Sequence, residues 1–130
     1  MPGLCVFDYA VVRVVPRVER EECINAGVIL FCRERRYLDA RVSLPVSRLA
    51  ALAPQMEPAT VQAHLDLIPV ICAGGPAAGP LGLLTQVERF RWLTSPRSTV
   101  VQVSPVHAGL CADPAVALAH LMATMITEVP

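Results

Sequence analysis

The sequence predicts an α+β fold: a mostly antiparallel sheet of about four strands with helices packed on one face, in the order β-β-β-α-α-(α)-β-α. Three observations lead there. The stretch up to Val42 holds three short apolar runs joined by polar connections. The chain then changes to proline-opened segments with apolar residues at helical spacing. A final β-branched run and a final amphipathic run close it. Strand runs followed by helix runs place helices against a sheet.

"DYAVVRVVP", Asp8 to Pro16, is dense in valine and reads as a strand closed by its proline. "INAGVILFC", Ile24 to Cys32, is the second strand, and "YLDARV", Tyr37 to Val42, the third. Their short connections favour an antiparallel meander. Pro45 opens a short helix through Leu52, and Pro54 ends it. Pro58 opens a longer one, with Val61, Leu65 and Ile68 on one side. Pro69 is expected to kink or shorten that helix. "AGGPAAGP", Ala73 to Pro80, is expected to be an irregular loop. "LGLLTQVERFRWL" reads as helix, with Gly82 weakening its start. "RSTVVQVSP", Arg97 to Pro105, is the fourth strand. Asp113 caps a last helix with Pro114 in its first turn; Val116, Leu118, Leu121, Met122, Met125 and Ile126 form its apolar face.

At 130 residues the chain is read as one domain spanning 1–130. Its hydrophobic fraction of 54% exceeds the usual share of about 45–50%. A full core, or a face covered by a partner, accommodates that excess. Formal net charge is zero, which argues against general nucleic-acid binding. All 11 basic residues are arginine. Codon bias explains this most simply; bidentate capture of carboxylates or phosphates is the functional alternative. The five cysteines form no CxxC pair, so free thiols, no metal site, no cofactor and a cytoplasmic setting are expected. The segment "MPGLCVFDYAVVRVVP" reads as neither signal peptide nor spanning helix.

Alternation divides each strand into two faces. Ala10, Val12, Val14, Ala26, Val28, Leu30, Cys32, Leu38, Ala40 and Val42 form wholly apolar sets, expected beneath the helices. The opposite sets carry Tyr9, Arg13, Asn25, Tyr37, Asp39 and Arg41. On this mixed face Glu21 or Glu22 is placed to reach Arg13, as ligand site or plain ion pair. Gly27 either leaves space above the backbone or marks a β-bulge or a close helix crossing. The second candidate region holds Arg89, Arg91 and Arg97 around Trp92, a grouping able to grip a phosphate or stack on a base, or simply to flank a core aromatic. His107 in "SPVHAGL" is expected in a loop, as a candidate base or phosphate contact.

Other chemistry finds no pattern. His64, His107 and His120 lack HExxH spacing. The glycine-rich stretch has no GK[ST] ending and follows no strand. No GxSxG elbow is present.

"YAVVRVVPRVEREECINAGVILFCRERRYLDARV" resembles the opening of a bacterial family of short proteins catalogued as a domain of unknown function, number three-zero-three-seven. The matching residues are Tyr9, Arg13, Pro16, Glu22, Asn25, Gly27 and Val28. "RFRWLTSPRSTVVQVSPVHAGL" is similar to the second signature of its high-GC branch. Cys23, Ala26 and Pro69 depart from the family pattern. Members are often encoded beside a protein resembling a toxin-type serine/threonine kinase, so the resemblance implies an accessory or antitoxin-like role.

Two functions follow as expectations. One is a non-catalytic binding or accessory module, partnered by a kinase-like protein or by a second copy. The other is an enzyme or sensor for a phosphate-bearing small molecule, with Arg13, Arg89, Arg91 and Arg97 binding the anion and Glu22 and His107 as acid or base; Asn25 is a further ligand candidate. The sequence does not decide whether the chain is an enzyme.

Overall fold

The computed structural model describes residues 3–17, 22–97 and 99–126. Strands β1 (Cys5–Val14), β2 (Ile24–Cys32) and β3 (Tyr37–Val42) form the expected antiparallel meander. Two further strands, β4 (Val101–Val103) and β5 (His107–Cys111), both lie along the free side of β1. β4 covers Val12–Val14 and β5 covers Cys5–Tyr9. The latter pairing explains why β1 begins at Cys5, earlier than Asp8. It also makes a strand of "HAGLC", expected as loop.

The pairing slips by one residue between β4 and β5. Ser104 occupies the step and is buried. Its amide donates to the Val11 carbonyl at 2.8 Å, and its hydroxyl accepts from the Val11 amide at 2.9 Å. A side chain thus completes a ladder that Pro105, lacking an N–H, could not continue.

The helices are α1 (Val46–Leu52), α2 (Pro58–Ala73), α3 (Gln86–Thr94) and α4 (Pro114–Met125). α2 runs through Pro69 instead of stopping there. Val61, Leu65, Ile68, Ile71 and Cys72 are buried along it, and that packing holds the helix across the missing hydrogen bond. The expected loop after it is partly regular: Pro76–Leu83 makes 3-10 turns broken at Gly79, where φ is 61°. α3 starts later than the apolar pattern indicates, because Thr85 and Glu88 form a capping box there. The Thr85 amide holds the Glu88 carboxyl below the usual carboxylate range. At α4, Asp113 accepts from the Ala115 amide at 2.9 Å, with Pro114 in the first turn, as the sequence indicates.

Helices α1, α2 and α3 share one face of the sheet, over Val12, Val14, Ala26, Leu38 and Ala40 as expected, but also over Ile29 and Phe31, which alternation assigns to the opposite, mixed face. Helix α4 takes the other face. There Leu118, Leu121 and Ile126 pack on Phe7, Val11, Val28, Leu30 and Cys32. The expected apolar set of β2 is therefore divided between two cores. The cause is a bulge: Val12 faces Gly27 but Arg13 faces Asn25, leaving Ala26 without a partner residue. Alternation changes phase there, so Ala26 shares a face with Ile29 and Phe31, while Val28, Leu30 and Cys32 turn away. On α4, Val116 and Met125 belong to the exposed side instead of the expected apolar face. No single helix among the described residues is long and apolar enough to cross a membrane.

Gly27 is required at the bulge by close approach. A Cβ there would stand 2.6 Å from the Arg41 carbonyl oxygen and 3.2 Å from the Val42 Cα, both backbone atoms that cannot step aside. Gly27→Ala is predicted to lower unfolding free energy by about 1–3 kcal/mol, the usual cost of overpacking. Urea denaturation followed by the fluorescence of Trp92 measures it, and an unchanged midpoint would contradict this packing.

Candidate functional site

A cleft of about 420 Å³ opens on the α1–α3 side of the sheet. That volume lies within the range of small-molecule sites. Val101 and Val103 of β4 belong to its lining and point to this side, because they pair with Val14 and Val12. One wall comes from α2. Residues Val61, Leu65 and Cys72 are buried on that helix, while His64 and Leu67, lying further round it, are exposed and line the cleft. The other wall is the end of α3 and the segment after it, with Trp92, Ser95, Arg97 and Thr99.

Arg97 is held in two ways. Its guanidinium carbon lies 4.0 Å from the centre of the Trp92 ring. It also donates to the Trp92 carbonyl in the last turn of α3, where helix carbonyls lack internal partners. A guanidinium has five donors, and this bond uses one. The stack fixes a cation at the wall of a mostly apolar cleft, a favourable arrangement for an acceptor group on a flat or apolar ligand. The hydroxyl groups nearby serve the backbone: Ser95 donates to the Arg91 carbonyl at 2.7 Å and Thr99 to that of Val101 at 2.8 Å. No hydrogen bond among the described residues joins such a hydroxyl to a histidine or carboxylate, as an activated nucleophile requires.

The remaining candidates lie elsewhere. Arg13 and Asn25 are cross-strand partners on the α4 side, and Gln102 flanks Arg13 from β4. The two sequence blocks therefore do meet, along β1. Arg13 nevertheless faces away from Arg97, so the fold does not gather the arginines into one pocket. The Arg13 Nε is buried and has no hydrogen-bond partner among the described residues. Asn25 donates to the Met125 carbonyl at the end of α4, at 3.5 Å. Glu22 is half-buried just ahead of β2; Glu21 lies outside the described residues. His107 is exposed at the start of β5, its ring centre 5.4 Å from that of Tyr9. Arg91 is exposed in the last turn of α3.

Arg89 is 8% exposed and joins helices. It donates to the Cys72 carbonyl at 3.3 Å and to the Leu84 carbonyl. The negative end of α2 thus faces the cation of Arg89. Gly74, with φ of 73°, passes so near that a Cβ would lie 3.0 Å from the guanidinium carbon. The arginine and the glycine together close the α2–α3 junction.

The family described as "Protein of unknown function (DUF3037)" matches residues 9–126. The chain belongs to the DUF3037 family. No curated protein and no solved structure matches it. Within this DUF3037 domain the matched span runs from β1 to the end of α4 and includes both walls of the cleft. Sequence reasoning found Trp92 and Arg97 by their charge and aromatic grouping. It missed His64, which comes from a distant helix and has no spacing signal of its own.

Arg89→Met is predicted to lower stability by about 1–3 kcal/mol, since it leaves two carbonyl groups without their donor. Thermal and urea denaturation measure the loss; an unaltered stability would remove the junction role.

Proposed function

We propose that the protein is a non-catalytic cytoplasmic binding module that docks another protein on the open margin formed by β1 and β5. The observation that carries this reading is an uncovered apolar strip. Leu4, Val6 and Leu110 are 66%, 58% and 64% exposed. Val6 and Leu110 are direct cross-strand partners, so the strip is continuous. Val106, also exposed, lies just ahead of β5. β5 pairs only with β1 among the described strands, which leaves its outer backbone groups available. Its five residues carry no Asp, Glu, Lys or Arg, although charge is the usual protection of an open edge. The opposite edge strand, β3, carries Asp39 and Arg41.

The kinase-like protein expected beside members of this family is the partner to test first, and the accessory or antitoxin-like role would follow from it. The two proteins, co-expressed, are predicted to elute as one complex. Leu110→Glu is predicted to weaken that complex at least tenfold while leaving the thermal midpoint near that of the unaltered protein. A complex indifferent to Leu110→Glu, or a domain that never binds, counts against the reading.

The cleft favours a second reading, a sensor or enzyme for a phosphate-bearing small molecule. Here Arg97 alone of the candidate arginines lines the site, with Trp92 beside it. A binding nucleotide or phosphorylated metabolite at about 100 times its Kd would stabilise the fold by about 2.7 kcal/mol. The predicted result is a rise in melting temperature that Arg97→Ala abolishes and Arg89→Met, despite a lower starting value, retains. No shift across a broad panel would dismiss this second reading.

A further inference from the structure

Three cysteines far apart in sequence meet on the α4 side of the sheet. Cys5 and Cys111 are cross-strand partners in β1 and β5, with their sulfurs 3.6 Å apart. The Cys32 sulfur, in β2, is 3.3 Å from that of Cys5 and donates its S–H to it. All three thiols are free. We propose that this cluster is a peroxide-responsive thiol site, in which a hydroperoxide converts Cys5 and Cys111 into a reversible disulfide.

The geometry selects the bonding pair. Residues directly opposed in an antiparallel ladder have Cα atoms about 4.5–5.5 Å apart, inside the disulfide range. Cys32 instead pairs opposite the neighbourhood of Phe7, since Phe31 faces Asp8. It is therefore diagonal to Cys5, and diagonal partners stand about 7–8 Å apart, too far for a disulfide without backbone movement. Its S–H reaches Cys5 as a hydrogen-bond donor. Burial pushes the Cys32 thiol up, which keeps that proton in place. The Cys5 thiol in turn reaches the Cys111 carbonyl at 3.4 Å, so the three residues form one connected group.

A cation stands over the same strand ends. Arg35 donates to the Ala112 carbonyl at 2.7 Å, next to Cys111, and to the Gly3 carbonyl at 2.9 Å, two residues before Cys5. Of the reacting pair, Cys111 is the more accessible, 8% exposed against 2% for Cys5. Cys72 stands apart from the cluster: it lies in the other core, and burial pushes its thiol to about 12.

The chemistry balances with the hydroperoxide as oxidant. The Cys111 thiolate attacks the outer peroxide oxygen, the O–O bond breaks, and an alcohol, or water from hydrogen peroxide, departs after protonation. Cys111 is then a sulfenic acid. The Cys5 thiolate attacks its sulfur, the S–S bond forms, and hydroxide leaves as water. Two thiols lose two electrons, and the peroxide gains them. A small-molecule dithiol reverses the step by exchange.

The test uses the reduced full chain with hydrogen peroxide under native conditions, followed by non-reducing peptide mass spectrometry. The expected product is a peptide linking Cys5 to Cys111, with the free thiol count falling from five to three as two thiols enter the bond. Cys23→Ser, which removes the exposed cysteine, should form the same link at the same rate. Cys111→Ser should abolish both the link and the several-degree rise in melting temperature that cross-linking distant chain segments brings. Should Cys111→Ser fold poorly, the native protein still decides through rate. A link that forms faster than global unfolding, measured by urea jump, supports the site. A link that appears only at the unfolding rate, or oxidation confined to Cys23, overturns it.

Discussion

Strand β2 has no wet side, and this constraint organises the molecule. Eight of its nine residues are buried, Asn25 being the other. Ile29 and Phe31 enter one core, and Val28, Leu30 and Cys32 enter the other. Burying one large aliphatic side chain is worth about 1.5–3 kcal/mol, so leaving either face open would forfeit much of a domain's marginal stability. The sheet must be covered twice. Helices α1 to α3 follow the meander directly and cover one side. The second cover has to come from later chain, and α4 supplies it after β4 and β5 have carried the chain along β1.

The bulge at Ala26 allows both coverings to be filled by one strand. Small Ala26 lies under the α1–α3 layer near Val12 and Val14, and the larger Ile29 and Phe31 continue that side. The phase change frees Val28, Leu30 and Cys32 for α4. Close passage of β3 over Gly27 follows from the same kink. Asn25, just before it, reaches the last carbonyl of α4. One local irregularity thus sets the division of the core and fastens the helix that completes it.

The parts of this fold that were legible are those whose reasons are local. β2 and β3 begin and end at turn residues and at changes in apolar pattern. Asp113 and Pro114 mark α4 by capping chemistry alone. The parts that were hidden depend on distant chain. "HAGLC" has little β-forming character, and becomes a strand because Cys5–Tyr9 offers an unpaired ladder. Pro69 looks like a stop until its neighbours are seen packed on the sheet. Arg89 and Arg97 are alike in sequence, eight residues apart, yet one ends buried against the carbonyls of α2 and the other over Trp92. Nothing local separates them. The contacts of Cys5, Cys32 and Cys111 arise from three strands, and so leave no spacing to read.

The α1–α3 layer also explains why this face carries both a cleft and a bare margin. Its buried residues lie over β2, β3 and the Val12–Val14 end of β1. β4 flanks that same end, and the space between it, α2 and the end of α3 is the cleft. The Cys5 end of β1 and the whole of β5 extend past this cover. Val6 and Leu110 point to the covered side of the sheet but meet no helix from it, while Phe7 and Cys111, on the reverse, join the core beneath α4. An apolar surface supported from behind by a packed core is held in shape without a partner, and its exposure is then a property of the folded domain and not of local fraying. That rigidity suits it to receive another chain with little ordering cost on its own side.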